Sequence, residues 1–193
     1  MTIAQETLSL SEYRRKSVTN RLGLWLFLLS DLFTFAGLFV ARFYLLGTAI
    51  RPELNQIVGV VVTMILLVSS FFANRAEIAM RIGDIKAYSR NTLITIILGI
   101  AFVIGVVFVE WAIAPFGPAD GAAASLFYTM TGFHALHVVS GVIFLVTVYR
   151  IAQKGKYNEE RHFPVEASVV YWHFVDVVWI FLYPALYLIG HPA

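Results

Sequence analysis

The sequence predicts an all-α polytopic membrane protein: five transmembrane helices in a bundle, with the N-terminus on the cytoplasmic face. Three observations carry that expectation. Of 193 residues, 59% are hydrophobic and 13% charged, against roughly 45–50% apolar and about 25% charged in a soluble domain. One small core cannot hide so much apolar surface, and the same composition excludes intrinsic disorder. Five apolar stretches, residues 22–45, 56–74, 91–113, 125–149 and 168–190, each match the ~20 residues that carry a helix across ~30 Å of hydrocarbon. Finally, the basic residues alternate from side to side across these stretches. A transmembrane barrel would need many alternating strands of about ten residues, and no such alternation is present.

Residues 1–21 form a polar and basic tail, and residues 22–193 the five-helix membrane domain. The first apolar run is too long for a cleavable signal peptide, and no small-residue cleavage site follows it. In the tail, Leu8, Leu10 and Tyr13 stand among polar neighbours, which suits either a segment lying on the membrane surface or a partly ordered one. Gly37 with Ala41, and Ala101 with Gly105, have the small-xxx-small spacing that lets helices approach closely. Residues 75–90 carry Ile78, Ile82 and Ile85 at mixed three- and four-residue spacing, so the second helix is expected to continue out of the membrane. Pro115, Gly117 and Pro118 break the loop after the third span, and Pro164 suits a helix start before the fifth. In that last span Trp172, Trp179 and Tyr183 lie near one stripe, as packing aromatics or interface anchors do.

Orientation follows from Arg14, Arg15, Lys16 and Arg21, then Arg75, Arg81, Lys86 and Arg90, then Arg150, Lys154, Lys156 and Arg161. These three segments hold twelve of the fourteen Lys and Arg, leaving Arg42 and Arg51 toward the other face. Cytoplasmic loops attract such an excess. The net charge of +2 is too small to suggest nucleic acid as a partner. The chain has no cysteine, which excludes disulfides, thiolate nucleophiles, iron–sulfur clusters and thiolate copper sites.

Ionisable side chains inside a bilayer each need a partner or a purpose. Asp31 lies about 13 Å into the first span at 1.5 Å per residue. His134 and His137 share a face of the fourth span, His173 and Asp176 repeat the spacing in the fifth, Glu110 lies toward the outer end of the third, and Glu166 just before the fifth. A di-iron site would need paired Glu-x-x-His motifs, whereas one reversed His-x-x-Asp stands here without a second copy. A b-type haem between His134 or His137 and His173 is a second arrangement, and a proton relay through Asp31, His137 and Asp176 a third. The preferred one is a polar network in which His134 and His137 donate to carbonyls, hydroxyls or carboxylates such as Asp31 or Asp176, because buried polar groups are normally paired. No catalytic, cofactor-binding or metal-ligating residue is assigned. The chain shows no inverted repeat, which speaks against a transporter.

The stretches TGFHALHVVSG (131–141) and YWHFVDVVWIFLY (171–183), supported by LWLFLLSD (24–31), AGLF (36–39), EWAIAPF (110–116) and HFPVEA (162–167), resemble subunit III of haem–copper oxidases. The resemblance runs from about residue 22 to residue 190. It implies a non-catalytic subunit of a proton-pumping terminal oxidase that reduces O2 to water in aerobic respiration. Such a subunit packs on subunit I, adjoins subunit II and small subunits, stabilises subunit I, supports proton uptake and binds structural phospholipid. Haem and copper are implied for the partner subunits and none for this chain. The resemblance makes Asp31 the buried carboxylate near subunit I, His137, Arg150 and Lys154 lipid-headgroup contacts, and His173, Asp176 and Glu166 a polar framework for the last helix. It implies a bacterial cytoplasmic membrane or the mitochondrial inner membrane. Two departures matter. Many members have seven helices, and this chain resembles a five-helix form. Family members often carry Glu where Asp31 stands, and Asp occurs in the similar quinol-oxidising enzymes, so cytochrome c and quinol both remain as electron donors. A haem-anchoring subunit and an independent proton channel are the readings from other classes.

Overall fold

The computed structural model describes residues 9–48, 50–51 and 54–192. The expected five helices are present: α1 (Leu10–Leu46), α2 (Gln56–Arg81), α3 (Ile85–Ile113), α4 (Ala122–Gln153) and α5 (Phe163–Leu188). Each is long and apolar enough to cross a membrane. Ile50–Arg51 (β1), between α1 and α2, and His191–Pro192 (β2), after α5, add a two-residue parallel pairing that the sequence does not announce.

The helices extend beyond the apolar windows, and local chemistry says why. Ser9 and Glu12 form a capping box: the Glu12 N–H donates to Ser9 Oγ at 3.3 Å and the Ser9 N–H to Glu12 Oε2 at 2.9 Å. This satisfies donors that a helix start otherwise leaves orphaned. The tail from Leu10 onward is therefore the opening of α1; Leu8 lies outside the described residues. As the isoleucine spacing predicts, α2 continues to Arg81. It stops at Gly83, whose φ of 75° suits glycine alone. Asp84 then caps α3 by accepting from the Ala87 N–H at 2.9 Å.

α2, α3, α4 and α5 pack in a closed ring, α2 against α3, α3 against α4, α4 against α5, and α5 back against α2. α1 lies outside that ring in the furrow between α4 and α5. The three basic segments of the sequence, at the start of α1, the α2–α3 turn and the α4–α5 loop, share one end of the bundle. Trp172 locks the ring. Its indole is fully buried, and a Cβ on Gly99 of α3 would run into it, while one on Gly141 of α4 would stand 3.0 Å from it. Of the two small-residue pairs, Gly105 does meet a neighbour, Val62, whereas Gly37 faces open space.

Two helices widen into π turns, α3 at Ile104–Glu110 and α5 at Pro184–Leu188. In α5 the widened turn begins at Pro184, which has no N–H to give the preceding turn. The Ile189 N–H reaches back five residues to Pro184 O at 2.9 Å. Such turns are rare and frequently sit at functional sites.

Candidate functional site: intramembrane polar pairs and an apolar groove

Polar contacts join the helices at every depth. At the basic end, Arg21 of α1 pairs with Glu166 of α5 at 2.7 Å, and the Phe163 N–H donates to Tyr13 Oη at 3.0 Å. Glu166 thus fastens α1 to the start of α5.

At mid-depth α1 meets α4 through Asp31 and His137. His137 Nδ1 lies 2.7 Å from Phe133 O, and Nε2 lies 3.1 Å from Asp31 Oδ1. A carbonyl can only accept, so Nδ1 carries a proton. The second contact then needs one more proton, held either by Nε2 or by the carboxyl. Both distributions leave the pair with zero net charge, which low-dielectric surroundings favour. Both ring nitrogens of His137 are thereby occupied. Ser140 Oγ and Tyr171 Oη meet at 2.6 Å beside it.

His134 behaves otherwise. It is fully buried, neither ring nitrogen has a hydrogen-bond partner among the described residues, and its neighbours include the Phe102 and Trp179 rings at 5.7 and 5.0 Å. The expected network is thus not continuous: His137 finds Asp31, and His134 finds aromatics. Nor does Asp176 join these histidines. It is buried against His173, whose Nδ1 stands 3.9 Å from Asp176 Oδ2, too far for a hydrogen bond. Arg150 and Lys154 are exposed at the end of α4, about 20 Å along the helix from His137. One headgroup cannot touch all three.

A ladder joins α2 to α5. The Trp172 indole donates to Ser69 Oγ at 3.0 Å, Ser70 Oγ meets His173 Nδ1 at 2.6 Å, and the Trp179 indole donates to Thr63 Oγ1 at 2.9 Å. Nearer the other end, Gln56 Nε2 donates to Tyr187 O at 2.7 Å. As numbers rise along α2 they fall along α5, the register of antiparallel helices. These rungs explain the aromatic stripe of the last helix, but the hydroxyl half of each pair carries no mark in the sequence.

At the end away from the basic loops, the two π turns meet. Glu110 of α3 is buried and accepts a hydrogen bond from the Tyr187 hydroxyl of α5. Arg42 of α1, also buried, donates from Nε to Ala185 O at 2.9 Å, from Nη1 to Gly47 O at 2.8 Å and from Nη2 to Ile189 O at 3.1 Å. A helix C-terminus leaves carbonyls orphaned and carries negative dipole charge, so a guanidinium suits it. Sequence reasoning placed Arg42 by side only. The missed signal is a cation inside the apolar run LFVARFYLL.

Between α1 and α5 runs a groove of about 710 Å³ lined by apolar side chains, among them Leu28, Phe35, Phe39, Phe174, Val178 and Pro184. Among the described residues, no three His, Cys, Asp or Glu side chains gather in a way that could hold a metal ion.

A ring of membrane helices with an outlying fifth, tied together by polar contacts between helices, defines an integral membrane protein of the helical-bundle class. The comparisons narrow that class. The family described as Cytochrome c oxidase subunit III matches residues 3–191, and the chain belongs to it. A relative named Cytochrome c oxidase subunit 3 from Thermostichus vulcanus is 35% identical over 174 residues, covering 87% of this chain and 86% of its own length. One of the same name from Synechocystis sp. is 38% identical over 176 residues, covering 86% and 74%. Another, from Latimeria chalumnae, is 36% identical over 183 residues, covering 88% and 69%.

Proposed function

We propose that the chain is the non-catalytic subunit III of a proton-pumping haem–copper terminal oxidase, packed against subunit I and adjoining subunit II and small subunits. In that role it stabilises the oxygen-reducing subunit, supports proton uptake from the basic side and holds phospholipid. Haem and copper belong to its partners. The observation that carries the reading is the family match across residues 3–191. The geometry is consistent with it, because Asp31, His137 and Glu110 are occupied in joining helices and His134 is buried among aromatics.

Lipid fits in two places. The groove between α1 and α5 offers an apolar channel for acyl chains. Exposed Arg150 and Lys154 offer phosphate contacts at the basic end, which is assigned to the cytoplasm or its mitochondrial equivalent. The membrane is the bacterial cytoplasmic or the mitochondrial inner one. Cytochrome c is the proposed electron donor, in keeping with the relatives' names, and the shorter Asp31 leaves a quinol oxidase as the alternative.

Purification through this chain in mild detergent tests the proposal. The expected result is co-purification of haem- and copper-bearing subunits, including one with a dinuclear copper motif. A quinol-oxidising subunit I without that motif would select the alternative. A Soret band retained stoichiometrically by the isolated chain would overturn the subunit III role.

A further inference from the structure

His173 sits about 15 Å along α5 from Phe163, near the middle of a helix that crosses the bilayer. Its partner Ser70 is equally central in α2. Yet the His173 side chain is 39% exposed. An exposed imidazole at that depth meets hydrocarbon, where an unsatisfied polar group is costly.

The hydrogen bonding fixes which atom is unsatisfied. Ser70 Oγ meets His173 Nδ1 at 2.6 Å, and the Asp176 carboxylate stands 3.9 Å from the same nitrogen. Nδ1 is thus engaged within the chain whichever atom donates, and Nε2 is the ring atom left over. Among the described residues Nε2 has no hydrogen-bond partner, and it reaches the protein surface. Around it the surface is apolar: Val177 and Ile180 follow on the same face of α5, and Leu67 lies one turn before Ser70 on α2, all exposed. Headgroup phosphates lie some 15 Å from the bilayer centre, out of reach of this nitrogen.

We propose that the α2–α5 face centred on His173 docks a transmembrane helix of a partner subunit, which supplies a hydrogen-bonding side chain to Nε2. That side chain is a hydroxyl or an amide, which can both donate and accept and so meets Nε2 in either tautomer. This inference rests on the subunit reading above and adds to it the contacting face and the kind of polar group it meets.

The test uses the complex purified through this chain. A photo-crosslinking residue replaces Ile180 and is irradiated in native membranes, and subunit retention is then compared for the wild type, His173→Leu and His173→Gln. Glutamine places an amide N–H near the position of Nε2, and leucine places none. The expected result is a crosslink to a different polypeptide, with His173→Leu retaining that polypeptide about threefold to tenfold less well in detergent, as loss of one intramembrane hydrogen bond implies. His173→Gln should restore retention. Crosslinks to lipid alone or to a second copy of this chain would overturn the proposal, as would equal retention by leucine and wild type. In those cases co-purifying oxidase subunits would leave the subunit III role standing. Should no oxidase subunit accompany the wild type, both fall. If His173→Leu fails to accumulate, the crosslink from the otherwise native chain still decides.

Discussion

α1 and α5 are of similar hydropathy class yet hold to the molecule by different means. Of the most apolar window of α5, 56% is buried inside the protein, against 11% for α1. α5 is wedged: Trp172 fills the space left by Gly99 and Gly141, and hydroxyls of α2 satisfy both of its buried indoles. α1 is strapped on instead, by Arg21 at one end, Asp31 in the middle and Arg42 at the other. Lipid tails are as apolar as leucine, so apolar surface alone does not draw membrane helices together. Close packing does so for α5, and a few charge-assisted contacts do so for α1.

Changes on the two helices should therefore differ in kind. The largest effect belongs to the wedge: Trp172→Ala leaves a void and removes the indole donor to Ser69 Oγ, and should destabilise the fold by about 3–5 kcal/mol, read as a fall in the midpoint of SDS-induced unfolding. Arg42→Leu comes next. It removes charged donors from carbonyls at the end of α5, with an expected loss of about 1.5–3 kcal/mol and increased proteolysis near the outer end of α1. Asp31 separates hydrogen bonding from charge. Asp31→Leu should weaken α1 docking by roughly 0.6–1.7 kcal/mol. Asp31→Asn keeps a donor for His137 Nε2 and should leave docking and the initial turnover of the assembled oxidase nearly intact. Abolition of the first turnovers by Asp31→Asn would show that the carboxyl does more than fasten helices. Smallest is Gly37→Ala, whose added methyl meets nothing within 4 Å. It should change stability by less than about 0.5 kcal/mol, and a large loss would reveal a partner pressed against that side of α1.

The wedge and the straps were not equally legible in the sequence. Span number follows from composition and charge, because membrane crossing is a local property of about twenty residues. The capping box of Ser9 and Glu12 was also there to be read, and it turns the polar tail into helix. Asp31 and His137 were visible as polar groups that needed partners, and they found one another. What stayed hidden depends on pairing across more than a hundred residues. Nothing in the sequence around Thr63 or Ser69 says that an indole will reach it. His134 had the same credentials as His137, three residues away, but α4 turns it toward Phe102 and Trp179. Arg42 looked like a residue marking a membrane face, because two of the carbonyls it serves, Ala185 O and Ile189 O, lie at the π turn of a helix not yet written at that point in the chain.

The strapping of α1 has a consequence for synthesis. Asp31 waits for a residue 106 positions downstream, and Arg42 for one 143 positions downstream. At about 5–20 residues per second, these two ionisable groups spend roughly 5–30 s in or beside the insertion machinery before their partners are translated. The nascent chain must be sheltered over that interval, by lingering at the translocon or by letting both groups lean toward water, and α1 can take its final seat only after the last helix has arrived.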